Sequence, residues 1–169
     1  MKLAVLALLA FLTVASEAEV IPFVENDYAS AVAQAKATKR PLFIEAWAPW
    51  CHTCRSMRAY VFTDSALQPY VGRFVWLAID TENAKNAAFL MKHPVQGVPM
   101  LFVVDPAKDS VVLRYAGGAT VSQLKKLLDD GERAVGRSET TKVDAILKGA
   151  DRLAAAGKNS AALKIFSTS

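Results

Sequence analysis

The chain has 169 residues, 53% of them hydrophobic and 21% charged, a balance that fits one globular domain with a small extra element and excludes a disordered chain. The net charge of +4 is modest and the basic residues are scattered, with Lys39-Arg40 and Lys125-Lys126 the densest pairs, so the clustered basic face of a nucleic-acid-binding protein is missing. Two cysteines are too few to staple a small scaffold, so stability is expected to come from an apolar core.

The chain opens like an export signal. Lys2 supplies a positive start, Leu3 to Val14 is apolar apart from Thr13, and the small residues Ala15, Ser16 and Ala18 follow. The apolar run is shorter than the roughly 20 residues of a membrane span. A signal peptide over residues 1–18 is expected, with cleavage after Ala18 or Ala15. An uncleaved anchor or a buried helix is the alternative. The absence of a cysteine in this stretch argues against a lipid anchor. The expected location is therefore extracytoplasmic or periplasmic, with no stable membrane span after cleavage.

From there the pattern alternates. A short strand is expected near Val20–Phe23. Asn26 can cap a helix whose apolar stripe is Tyr28, Ala31, Val32 and Ala35, and Lys39-Arg40-Pro41 ends it. Leu42 to Trp47 reads as a strand buried on both faces. Ala48-Pro49-Trp50 is a loop, and the cysteines open a helix running to about Val61. Asp64 or Ser65 can cap a short helix through Val71. Phe74 to Asp80 is a second buried strand, and Thr81 or Asn83 starts a helix ending near Lys92. Met100 to Val104 is a third strand. Turn residues 105–110 lead to its antiparallel partner, Val111 to Tyr115. After Gly117-Gly118, a helix from Thr120 to about Val135 buries Val121, Leu124, Leu127 and Leu128. Strands alternating with helices and closed by a hairpin predict an α/β three-layer sandwich with a mixed central sheet. The domain is expected over residues 19–135. Residues 136–169 form a helical extension, read equally as part of a tetratricopeptide-like unit or as a tail packed on the domain.

The two cysteines form the motif Cys51-His52-Thr53-Cys54. A helix N-terminus offers unsatisfied N–H groups and a partial positive charge, which favours the thiolate of Cys51. A protonated His52 would add to this. Cys54, one turn further on, is within reach to resolve a mixed disulfide formed at Cys51. A purely structural disulfide closing so short a loop would stabilise little. Zinc would need two further soft ligands, and only His52 and His93 remain, so no metal is expected.

Phe43-Ile44-Glu45-Ala46-Trp47-Ala48-Pro49-Trp50-Cys51-His52-Thr53-Cys54 closely resembles the active-site segment of the thioredoxin superfamily. Val95-Gln96-Gly97-Val98-Pro99 resembles that family's Gly-hydrophobic-Pro element, in which the proline is cis and faces the cysteines. The Gly117-Gly118 break and the last helix also fit, so the likeness covers about residues 20–135. Val61-Phe62-Thr63-Asp64-Ser65 is closer in pattern to the C-terminal domain of the DsbD thiol reductase than to cytosolic thioredoxin. The resemblance implies a thioredoxin-like fold with Cys51 as the attacking thiol and Cys54 as the resolving one. It puts Glu45 where the family has a buried acid that accepts the Cys54 proton. Trp50, His52 and Thr53 would shape the substrate surface, and Pro99 would set the Val98 backbone beside Cys51 to pair with an extended substrate. His52-Thr53 replaces the Gly-Pro pair of thioredoxin, Trp76 stands where thioredoxin has a buried lysine, and Met100 follows the proline where Thr is common. These departures bear on the redox potential, which spans about 150 mV between thioredoxin and DsbA.

The function this implies is an exported thiol–disulfide oxidoreductase acting on protein thiols or disulfides, with a lean toward reductase. An upstream redox protein would serve as partner, and no cofactor is expected beyond the redox-active cysteine pair. The alternatives are a disulfide oxidase or isomerase, and a non-enzymatic adaptor holding a partner through its helical tail.

Overall fold

The structure, a computed structural model, describes residues 21–135 together with Gly149 and Gly157. The expected signal segment and tetratricopeptide-like tail lie outside the described residues.

The elements alternate as expected: β1 (Phe23–Glu25), α1 (Tyr28–Thr38), β2 (Leu42–Trp47), α2 (His52–Ser56), α3 (Gln68–Val71), β3 (Val75–Asp80), α4 (Ala87–Lys92), β4 (Met100–Asp105), β5 (Ser110–Ala116) and α5 (Val121–Ala134). The five strands form one sheet in the order β1-β3-β2-β4-β5. β1, β3 and β2 run parallel, and β4 and β5 join antiparallel. The result is the mixed sheet of a thioredoxin-like fold, with β2 and the residues that follow it at the centre.

Alternation along the central strands divides the core in two. Phe43, Trp76, Leu101 and Val103 face one side, packed with Met57, Phe62, Leu67, Leu124 and Leu128. Leu42, Ile44, Leu77, Ile79 and Phe102 face the other, against Ala31, Ala35 and Phe89. The small alanines of α1 let that helix lie close to the sheet. Gly131 does the same for α5, since a Cβ there would come within 2.6 Å of Val103 Cγ2.

Local chemistry shifts three boundaries. The first strand is Phe23–Glu25 rather than a segment near Val20–Phe23, because its ladder is fixed by pairing Phe23 with Trp76 and Glu25 with Ala78 of β3. Asp27, not Asn26, caps α1, with its side chain accepting from the Ser30 N–H at 2.9 Å. Asn26 adopts φ 58°, and its Oδ1 accepts from the Asp80 N–H at 2.8 Å and from Asn86 Nδ2 at 2.7 Å. It therefore ties the β1–α1 junction to the end of β3. The helix of the cysteines is regular only to Ser56 and continues as a π turn over Met57–Val61, closed by the Phe62 N–H on the Met57 carbonyl at 2.9 Å. Such turns often mark functional segments of helices.

Candidate active site

The site is built where β2 leaves the sheet. Trp47 ends the strand, and the Cys51 N–H closes a turn onto the Ala48 carbonyl at 3.0 Å. Cys51 then serves as the N-cap of α2, and its Sγ accepts from the Cys54 N–H at 3.1 Å. An N-cap position puts the sulfur among the unsatisfied N–H groups of the helix start. The two cysteines are joined as a disulfide, with their Cα atoms 5.3 Å apart. They differ in access: Cys51 is 5% exposed and Cys54 is 0%, so a reacting sulfur from outside can meet only Cys51.

The structure brings several sequence-predicted residues to this pair. The Val98–Pro99 peptide bond is cis. Val98 packs against Cys51, Cys54 and Ala48, together with Trp47. Pro99 is buried and its carbonyl accepts from the Gly117 N–H at 2.9 Å, which ties the proline loop to the break after β5. Gly118 lies against the active-site helix, where a Cβ would come within 2.7 Å of Thr53 Cγ2. His52 and Thr53 are exposed on the first turn of α2. Trp50 is 63% exposed and donates through Nε1 to Glu82 Oε1 at 3.4 Å. It stands at the rim as a surface aromatic, outside the core.

Glu45 is completely buried on β2. Burial pushes its carboxyl up to about 7, against the pull of the Arg58 charge and hydrogen bond. Its Oε2 accepts from Arg58 Nε at 3.0 Å. Sequence reasoning missed Arg58, although a signal was there: it lies four residues after Cys54, on the same helical face. Trp76, where thioredoxin has a lysine, is fully buried, packs at a tilt against Phe43 and donates through Nε1 to the Val71 carbonyl at 3.2 Å. Among the described residues, no group of three or more His, Cys, Asp or Glu side chains is placed to hold a metal ion.

A family described as thioredoxin-like matches residues 24–106. The thiol:disulfide interchange protein DsbD of Actinobacillus pleuropneumoniae serotype 5b is 31% identical over 93 residues, which is 53% of this chain and 16% of that protein. The chain thus spans only a small part of the length of the DsbD relatives it matches. Among solved structures, the oxidised C-terminal domain of Neisseria meningitidis DsbD superposes with a TM-score of 0.52 at 21% identity, covering 61% of this chain and 90% of that one. A thioredoxin from Thermus thermophilus gives a TM-score of 0.56 at 21% identity, covering 63% and 85%. At such identities these two show the fold. With the matched family, the mixed five-stranded sheet and the cysteine pair at the start of α2, the chain carries a domain of the thioredoxin-like family.

Proposed function

We propose that the chain is an exported thiol–disulfide oxidoreductase that reduces disulfides in other proteins. The asymmetry of the cysteine pair carries this reading: Cys51 caps a helix and reaches the surface, while Cys54 is sealed one turn further on. In the reduced protein the Cys51 thiolate attacks a substrate disulfide. One substrate sulfur leaves as a thiolate and the other stays bonded to Cys51. Cys54 then loses its proton to Glu45 and attacks Cys51 Sγ, which forms the internal disulfide and expels the second substrate thiolate. Two electrons pass to the substrate, and the protein ends in the disulfide state of the structure.

The exposed Trp50, His52 and Thr53, with the half-buried Val98 held by the buried Pro99 behind it, would form the surface a substrate segment meets. An extended segment could pair with the backbone at Val98 as an added strand. No cofactor enters this cycle, but a dithiol donor must return the pair to its reduced form. The likeness of Val61–Ser65 to the DsbD reductase pattern and the buried base at Glu45 favour the reductase direction. The pattern of residues 1–18 supports export. Among the described residues, no helix is long and apolar enough to cross a membrane.

Turnover of a protein disulfide such as that of insulin tests the roles. Cys51→Ala should abolish it. Cys54→Ala should accumulate a mixed disulfide between Cys51 and the substrate, visible on non-reducing gels. Full activity in either variant would refute the assignment.

A further inference from the structure

Arg58 has no part in the chemistry above, yet its surroundings are those of a built site. It lies one helical turn past Cys54, in the π turn that continues α2, on the side of the helix that carries the resolving cysteine. Its Nε donates to Glu45 Oε2 at 3.0 Å and its Nη1 to Glu25 Oε1 at 3.4 Å. Its guanidinium lies 4.0 Å from the centroid of the Trp47 ring and 5.8 Å from that of Phe23. A planar cation on an aromatic face with carboxylates at its edge is an arrangement that suits arginine and not lysine. Trp47 also packs on the cluster of Ala48, Cys51 and Cys54, so the same side chain borders the redox centre and holds the cation.

Exposure rises along this chain of charges: the Glu45 side chain is 0% exposed, Arg58 27% and Glu25 48%. With Oε2 engaged by Arg58, Glu45 Oε1 has no hydrogen-bond partner among the described residues. It is the oxygen left to receive a proton. The charged groups facing Glu45 are Arg58 from the active-site helix and Glu25 from β1, with the cysteine pair on that same helix. Glu25 opposes ionisation of Glu45 and Arg58 favours it. A carboxyl so deeply buried would stay protonated through the neutral range without a fixed counter-charge, and a protonated carboxyl cannot act as base. Arginine keeps its charge throughout that range. Trp76 stands where thioredoxin has a buried lysine and carries no charge, so the counter-charge here comes from Arg58.

We propose that Arg58 is a positioning residue of the redox centre: gripped by Trp47 and Glu25, it fixes the Glu45 carboxyl with Oε1 free and keeps it able to accept the Cys54 proton. This rests on the exchange chemistry proposed above. In the step concerned, the Cys54 thiol gives its proton to Glu45 Oε1. The thiolate forms a bond to Cys51 Sγ, and the bond from Cys51 to the substrate sulfur breaks with its electron pair on the leaving thiolate.

The test is the titration of the Glu45 carboxyl, followed by carbon-13 NMR in the oxidised full chain, where the cysteines do not titrate. The wild-type midpoint is expected at about 7. Arg58→Met should move it up by about one pH unit or more, leaving about fivefold less ionised Glu45 at pH 7. Resolution of a Cys51–insulin mixed disulfide should slow by about the same factor at that pH. Arg58→Lys, which keeps the charge, should recover at least half of the shift. Arg58→Gln offers the same loss of charge should the methionine variant fail to fold. An unmoved midpoint in Arg58→Met or Arg58→Gln, or a lysine variant as shifted as the methionine one, would overturn the proposal. Cys51→Ala run alongside separates the two failures: if it kills turnover while the Glu45 midpoint stays put, only the role of Arg58 falls. If it leaves turnover intact, the exchange chemistry itself falls.

Discussion

Glu45 and His93 are buried titratable side chains with opposite effects on stability. Burial raises the Glu45 carboxyl to about 7. Between its unfolded value near 4.5 and that figure, the folded state holds a proton that the unfolded state has lost, so stability falls as pH rises. His93 packs among Tyr28, Phe89 and Phe102. Burial lowers it to about 4, with the Lys92 and Arg114 charges adding and Asp109 opposing. From pH 4 to its ordinary value near 6.5, the unfolded state holds the extra proton, so this group makes stability rise with pH. Each contribution is on the order of 3 kcal/mol, and over pH 4.5–6.5 they oppose one another. Urea unfolding of the oxidised protein across that window should therefore give a shallow profile. Glu45→Gln should uncover a stability that rises with pH, and His93→Phe one that falls. Equal slopes in all three proteins would contradict these assignments.

At the scale of elements, the strands and helices were legible because burial and turn chemistry act locally. Leu42–Trp47 is apolar but for Glu45, and its bounds as a strand match the expectation. The last helix was also legible over Thr120 to about Val135, and the structure makes Thr120 its N-cap, in a capping box with Gln123. The cysteine motif and the Gly-hydrophobic-Pro element are both legible as patterns, and Val98 of the latter packs on the cluster of Ala48, Cys51 and Cys54. Contacts set by the register between elements were not legible. Asn26 and Asp27 are both good caps by composition, and only the fit of Asn26 against Asp80 and Asn86 decides between them. The spacing puts Arg58 on the face of Cys54, but its contact with Glu45 depends on how the cysteine helix and its π turn pack on the sheet, which no local pattern encodes. The seat of α5 on β4 gives a direct check. An alanine at Gly131 would gain about 1 kcal/mol of helix propensity but drive its Cβ into Val103, a stiff β-branched side chain. Gly131→Ala should destabilise the protein by about 1–2 kcal/mol net in urea unfolding. In a Val103→Ala background the same change should be neutral or stabilising. A neutral Gly131→Ala in the wild type would show that the helix sits further from the sheet.

For the whole molecule, the sheet order makes β2 central and brings two distant segments to its end: the cysteine helix that follows it, and the Val98–Pro99 loop that leads into antiparallel β4. A buried acid on β2 and an arginine on the cysteine helix complete the centre. In the proposed function, these supply an exposed face for substrate and an internal base for resolution. The fold alone leaves the direction of electron flow open, because relatives with this architecture span about 150 mV. Equilibration of the Cys51–Cys54 pair with glutathione buffers of known potential tests the proposed reductase most directly. The pair is expected to settle close to the potential of thioredoxin, about −270 mV, and a value near the −120 mV of DsbA would contradict the reductase direction.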